Sequence, residues 1–437
     1  MTTFPKDFVW GTGTASYQIE GAWNEDGRGE SIWDRFSHTP GRTANGDTGD
    51  VACDHYHRWR DDVALMKQLG VNAYRFSVAW PRVLPQGRGA INAKGLDFYD
   101  RLVDALLAAG IQPYITLYHW DLPQALDDAG GWLNRDIAGA FADYTAVVVR
   151  RLGDRVKSWM TINEPYCVAF LGYREGVHAP GRRDERLALQ AGHHTLLAHG
   201  RAVQAIRALS SGAQVGIVAN LWTVDPLRDD DEEDRSLAEL QWQKDCAWFL
   251  DPVFKARYPD RAWAAYGSIA PSVDDGDFEI ISQPIDYLGV NYYFRALFDR
   301  GRRIAGLPNA EYTDMGWEVH APGLTAVLLK LHHDYPGVAL SVTENGAAYK
   351  DTLTPDGVHD PRRINYLCEH IDAVGRAIEA GADVRGYFVW TFLDNFEWAY
   401  GYDKRFGLVY VDYPTQRRVP KDSFYWYAQT IARRGLA

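Results

Sequence analysis

Eight short runs rich in apolar, β-branched and aromatic residues recur along this chain, with helix-like stretches between them. The runs are residues 8–16, 73–80, 112–118, 158–162, 214–219, 285–290, 339–343 and 386–392. The stretches 60–69, 96–109, 135–152, 187–209, 324–333 and 362–380 carry apolar residues at three- and four-residue spacing, the period of a helix with one buried face. Several close on glycine, as at Leu69-Gly70, Ala109-Gly110 and Ala380-Gly381. Strands alternating with helices predict a parallel sheet, and eight of them predict an α/β fold, a closed (β/α)8 TIM barrel.

A barrel of this kind needs about 250 residues. The chain has 437 and shows no repeat, linker or low-complexity tract. The expectation is therefore one catalytic domain, 1–437, with the surplus in long βα loops at 31–54, 120–132, 225–234 and 291–316. Barrel enzymes build their sites at the C-terminal ends of the strands, under such loops. The unusual polar residues fall there: Gln18, His119, Asn163, Glu164, Asn291, Tyr293, Glu344 and Glu397.

Two of these stand out. Thr161-Ile162-Asn163-Glu164-Pro165 and Val342-Thr343-Glu344-Asn345-Gly346 each set a carboxylate beside an Asn at the end of an apolar run. Alone, Glu164 reads equally as a helix-terminus acid or an ion-pair partner, and Asn345-Gly346 is also a plain turn signal. Together, on the fourth and seventh strands, they form the carboxylate pair that glycoside hydrolysis requires. Pro165 biases Glu164 away from the right-handed helical region.

The remaining motifs are weighed in the same way. His119 ends the third strand at the same rim and suits a neutral donor to a sugar hydroxyl, although a lone histidine is more often structural. Trp390-Thr391-Phe392-Leu393-Asp394-Asn395-Phe396-Glu397-Trp398 reads either as a packed strand with a capped loop or as a sugar platform with an acid across two hydroxyls. The chain holds 16 Trp, 25 Tyr and 17 Phe, and rings suit the C–H faces of a pyranose. Gly11-Thr12-Gly13 is a weak dinucleotide signal with no helix expected after it, so no cofactor is expected. His55 and His57 near Cys53 and Asp54 lack a further ligand at metal-binding spacing, so no metal is expected either. His193-His194 and His332-His333 read as structural or surface residues, and the acidic run 229–234 as a solvated loop.

Net charge −12 argues against a nucleic-acid partner. No apolar stretch is long enough to span a bilayer, so no membrane partner is expected. The four cysteines are scattered without a CxxC pair, and no leader is visible at the start, so the expectation is a cytoplasmic protein with free thiols.

These motifs, in this order, resemble glycoside hydrolase family 1, the β-glucosidase and β-galactosidase family. The likeness runs from Phe8-Val9-Trp10-Gly11 to Tyr410-Val411-Asp412. The resemblance implies retaining hydrolysis, with Glu344 as nucleophile and Glu164 as acid/base. It implies a sugar pocket of Gln18, His119, Trp120, Asn163, Glu397, Trp398 and Phe406 over a Trp390 platform. Asn291 and Tyr293 would flank the nucleophile, Arg75 would pair with it, and Trp317 would stack on the leaving-group side. Ile162 stands where the family commonly has Phe, and Tyr166 where Trp often follows the proline. Glu397 and Phe406 depart from relatives that cleave 6-phosphorylated sugars, since a carboxylate there would repel a phosphate. Gln18, His119 and Glu397 would meet glucose, galactose and fucose alike. The implied activity is therefore a β-glucosidase, with a broader β-galactosidase/β-fucosidase or a 6-phospho-β-glycosidase as alternatives. The expected partners are small β-glycosides such as cello-oligosaccharides and aryl glucosides, with self-association into a homo-oligomer possible.

Overall fold

The computed structural model describes residues 2–304 and 306–436. All eight expected runs form strands: β1 (Val9–Gly13), β2 (Ala73–Ser77), β3 (Gln112–Tyr118), β4 (Ser158–Asn163), β5 (Gln214–Asn220), β6 (Tyr287–Asn291), β7 (Ala339–Asn345) and β8 (Val384–Trp390). Each pairs in parallel with the next, and β8 closes on β1 in the register Val9↔Gly386 to Gly13↔Trp390, giving a (β/α)8 barrel. Covered on both faces, β2 and β7 are buried throughout, even at polar positions such as Arg75, Thr343 and Glu344.

The helical periodicity also translates into packing. The helix α1 (His55–Leu69) ends on Gly70 in the left-handed conformation, as the glycine signal predicted. Helix α2 spans Ala93–Ala108, and α3 (Ile137–Leu152) buries Phe141, Tyr144, Thr145, Val148 and Leu152, one face of a helix. The long α4 (Glu185–Leu209) is capped by Asp184, whose carboxylate accepts from the Leu187 N–H at 3.1 Å. His193 and His194 are buried within it, where His193 bonds Tyr258 and Asp277, so their role is structural.

Local structure in the long loops departs from expectation in three places. A one-turn helix, Ser16–Ile19, follows β1 where none was expected. Within 31–54, Ser31 and Asp34 form a reciprocal capping box that starts a helix over Ile32–His38. The acidic run 229–234 is exposed at Asp229, Asp230, Glu232 and Glu233, but it is not all loop: Asp231 caps a helix beginning at Glu232, and Asp234 is buried against Arg228 at 2.8 Å. In the last two cases a short acidic or hydroxyl side chain at a helix start, rather than apolar periodicity, carries the signal.

The barrel end that carries the C-terminal strand ends is tightly tied. Gly346 follows β7 because a Cβ there would lie 1.7 Å from the Trp390 carbonyl oxygen. The loops after β7 and β8 share a buried ion cluster. Lys421 donates to Asp351 at 2.5 Å and to Asp394 at 2.7 Å, while Arg363 and Arg405 pair with the same two aspartates. Among the described residues, no helix is long and apolar enough to cross a membrane.

Candidate active site

Both glutamates stand where strand register is interrupted. β4 slips against β5 between Met160 and Asn163, and β7 slips against β6 between Val342 and Glu344. Such bulges re-aim a side chain out of the regular alternation. Glu164 also takes a positive φ of 50°, a left-handed conformation rare for a residue with a side chain. Its N–H is held by the Val218 carbonyl at 2.8 Å, so the surrounding strands fix this conformation. Pro165 disfavours the right-handed alternative, in line with the sequence expectation.

The two carboxyl groups meet different neighbours. Glu344 Oε1 accepts from Arg75 Nη1 at 2.5 Å, and Oε2 accepts from the Tyr293 hydroxyl at 2.5 Å. Arg75 is fully buried on β2, and its other amino group donates to Asn163 Oδ1 at 2.6 Å. Glu344 thus has a cation on one oxygen and a phenol donor on the other. Glu164 has only neutral contacts: Asn291 Nδ2 donates to Oε1 at 2.6 Å, and Cys167 Sγ lies 3.2 Å from Oε2. Burial and the nearby negative Glu344 push the Glu164 carboxyl up to about 8. Two carboxyl groups with environments this unlike can divide acid and nucleophile roles.

A cavity of about 640 Å³ opens over both glutamates. His119, Trp120, Asn291 and Tyr293 line it, as do Trp317, Trp390, Glu397, Trp398 and Phe406. Arg75, Asn163 and Gln18 are fully buried and bond to this lining through Glu344, His119 and Glu397. Asn163 Oδ1 accepts from Arg75 and from Asn291, which fixes its amide so that Nδ2 donates to His119 Nε2 at 3.2 Å. His119 is thereby left to donate through Nδ1. Burial and the Arg75 charge hold this imidazole well below its ordinary pKa, so it is neutral.

Glu397 is the third acid of the cavity. Its main chain is tied by its N–H to the Gly401 carbonyl at 2.7 Å, and Gln18 Nε2 donates to the Phe396 carbonyl at 2.9 Å. Burial, then the charges of Glu344 and Glu164, push its carboxyl up to about 8. Asp394, three residues earlier, is the anchor of this loop, through Lys421, Arg405 and the Gly407 N–H.

Rings form the walls. The His119 imidazole lies parallel to Trp390 and to Trp398, with interplanar angles of 16° to both. Trp120 packs on Trp398 at 4.6 Å between centroids and donates its indole N–H to the Asn163 carbonyl at 2.9 Å. Trp317 packs against Tyr293 and Phe406. With donors and acids along one side and rings along another, the cavity suits a pyranose.

Sequence reasoning missed Cys167, Trp222 and Phe294 as cavity residues. Trp222 and Phe294 follow β5 and β6 closely and stack on each other at 5.4 Å, so aromatics just past strand ends were the available signal. Cys167 lies one helical turn after Glu164, a spacing that brings side chains together. His55 and His57 pair with Asp62 and Asp54 respectively. Among the described residues, no group of three or more His, Cys, Asp or Glu is arranged to hold a metal ion.

Comparisons with known proteins agree on one family. The sequence profile of glycosyl hydrolase family 1 matches residues 1–436. The chain is 49% identical to β-glucosidase A of Acetivibrio thermocellus, over 99% of each chain. It is also 49% identical to a bifunctional β-D-glucosidase/β-D-fucosidase of Bifidobacterium breve, over 98% of each. The fold is similar to that of a Thermotoga maritima β-glucosidase in complex with deoxynojirimycin, with a TM-score of 0.97, 46% identity and full coverage of both chains.

Proposed function

The chain belongs to glycosyl hydrolase family 1, and from that premise we propose that it is a retaining β-glucosidase in which Glu344 is the nucleophile and Glu164 the acid/base. The observation that carries the assignment is the contrast between the two carboxyl groups. Glu344 faces a guanidinium and a phenol, while Glu164 faces an amide and a thiol and keeps its proton up to about 8.

In this mechanism Glu344 attacks the anomeric carbon while Glu164 gives its proton to the departing oxygen. Forming the glycosyl-enzyme neutralises Glu344, which leaves burial but removes the second cause of the raised Glu164 pKa. Glu164 then accepts a proton from the incoming water, and the second displacement restores the β configuration. Asn163 would bond the 2-hydroxyl, a contact that tightens in the transition state. His119, Gln18 and Glu397 would hold the outer hydroxyls, the Trp390 ring would carry the sugar face, and Trp317 would flank the leaving group.

The substrates are β-glucosides with sugar or aryl leaving groups, including cello-oligosaccharides, and the reaction takes place in the cytoplasm. The broader β-fucosidase reading is supported by the Bifidobacterium breve relative. Glu397 would repel a 6-phosphorylated sugar by charge only as pH rises toward the value of about 8 at which its carboxyl ionises.

Glu344→Gly with an activated aryl β-glucoside and azide tests the assignment. It should lose hydrolysis and form the α-glycosyl azide, whereas a β-azide product would remove Glu344 as nucleophile. Comparing nitrophenyl β-glucoside, β-galactoside and β-fucoside as substrates tests the specificity.

A further inference from the structure

Cys167 is buried, lines the cavity and is bonded to the side chain to which the proposed mechanism assigns proton transfer. The hydrogen bonds around Glu164 determine which of its oxygens carries the proton. Thr343 Oγ1 donates to Asn291 Oδ1 at 2.7 Å, so the Asn291 amide is oriented with Nδ2 toward Glu164. That N–H occupies Oε1 at 2.6 Å, which makes Oε1 an acceptor in both protonation states. The acidic hydrogen therefore sits on Oε2, the oxygen that faces Cys167 Sγ at 3.2 Å. Asn220 Nδ2 approaches the same sulfur at 3.6 Å from the other side.

We infer that the Cys167 thiol is a positioning residue for proton transfer, a reversible hydrogen-bond partner that accepts from Glu164 Oε2–H in the resting enzyme and donates to Oε2 once that proton has left. The inference rests on the acid/base reading of Glu164. When the glycosidic C–O bond breaks, the Oε2 hydrogen moves to the leaving oxygen and Glu164 becomes a carboxylate. The thiol then rotates about its C–S bond and directs its own hydrogen to Oε2. When water attacks the glycosyl-enzyme, Oε2 takes the water proton and the thiol turns back to accept. The thiol hydrogen stays on sulfur throughout, because burial and the neighbouring Glu164 keep this thiol well above its ordinary pKa.

A thiol suits both states because it is a weak donor and a weak acceptor. A strong donor such as lysine would hold Glu164 ionised and spoil the acid step, whereas an alkyl group would leave the ionised form unsupported. The other groups that act on Glu164 are Glu344, Arg75, Tyr293 and Glu397 across the cavity, with Glu175 acting on the thiol itself. None of these changes in the variants below.

The test compares Cys167→Ala and Cys167→Ser with the parent enzyme and with Glu164→Gln, using aryl β-glucosides. Removing the donor should move the alkaline limb of kcat/KM upward by about 0.5–1 pH unit in Cys167→Ala, the size expected for one lost hydrogen bond. The stronger O–H donor should move it downward in Cys167→Ser. The alanine variant should also lose roughly threefold to tenfold in kcat on a dinitrophenyl glucoside, where breakdown of the glycosyl-enzyme is exposed. A purely structural role predicts lower thermal stability with the limb unmoved, and limbs that stay put or move the same way in both variants overturn the inference. Should the alanine variant fail to fold, the infrared S–H band that Cys167→Ser deletes gives the same answer. It should shift between the free enzyme and the 2-fluoroglucosyl-enzyme, and an unmoved band overturns the inference. If instead Glu164→Gln keeps the alkaline limb of the parent, the acid/base reading itself fails, which separates the two outcomes.

Discussion

Arg75 and Glu344 form an ion pair at 2.5 Å in which the arginine is wholly buried. Arg75 comes from the middle of β2 and Glu344 from the far end of β7, so the pair crosses the barrel interior. Breaking a buried pair by removing one partner costs about 3–5 kcal/mol, because the remaining charge is left uncompensated. Arg75→Met is therefore expected to lower both thermal stability and kcat/KM, the latter by about 10²–10⁴-fold if the same energy is lost from the transition state. Adding Glu344→Gln should restore part of the lost stability and none of the activity. A double variant no more stable than Arg75→Met, measured by thermal unfolding, would show that the pair is not the source of the loss.

Glu164 gives the pH dependence. Its carboxyl sits at about 8, raised by burial and by Glu344, and the protonated form is the active one in the first step. Activity is therefore present below that value and lost as pH rises through it. The kcat/KM profile should fall about tenfold per unit on its alkaline side. Glu164→Gln should flatten that limb and cost about 10²–10⁴-fold on alkyl glucosides, whose leaving groups need the proton. On a dinitrophenyl glucoside the first step should be nearly unaffected, which pre-steady-state release of the phenol measures.

The placement of these residues was legible because barrel topology turns strand order into position. Once eight runs were recognised, any polar residue at a C-terminal strand end became a neighbour of the others, so Glu164, His119, Asn291 and Glu344 could be grouped without knowing a single distance. The supports were less legible. Lys421 and Asp394 meet across 27 residues through a contact that follows no helical or strand period. Asp234 sits in a run that looks solvated, and only its pairing with Arg228 and the Arg300 N–H explains its burial. Gln18 and Asn163 read as sugar contacts, but the bonds that hold them in place, Gln18 to the Phe396 carbonyl and Asn163 to Arg75, follow no sequence period.

Glu397 should reveal a conflict between stability and function. Its carboxyl is raised from 4.5 to about 8, chiefly by burial and then by Glu344 and Glu164. The unfolded chain loses this proton near 4.5 while the folded protein keeps it to about 8, so stability from this site declines as pH rises between those values. Glu397→Gln removes the penalty while keeping the shape. The variant should melt a few degrees above the parent at pH 8 and level with it near pH 4.5, while kcat/KM on glucosides falls. Melting curves of the two proteins at both pH values test this, and an equal difference at both would exclude the titration of Glu397 as its origin.

Lys421 links the loop bearing Glu397 to the rest of the fold. Its ammonium is fully buried between Asp351 and Asp394, and Asp394 lies three residues before Glu397. Lys421→Met leaves two buried aspartates, but Arg363 still meets Asp351 and Arg405 still meets Asp394. The stability cost should therefore sit near the lower end of the 3–5 kcal/mol range for a broken buried pair, about 3 kcal/mol. The functional effect should be selective. Asp394 orients the loop that delivers Glu397 and Trp398, so binding of the outer hydroxyls weakens while the Arg75–Glu344 and Asn291–Glu164 contacts are untouched. KM for cellobiose should rise more than kcat falls, and the alkaline limb set by Glu164 should stay where it is in the parent. A variant whose kcat collapses with KM unchanged would instead place Lys421 in control of the reacting carboxylates.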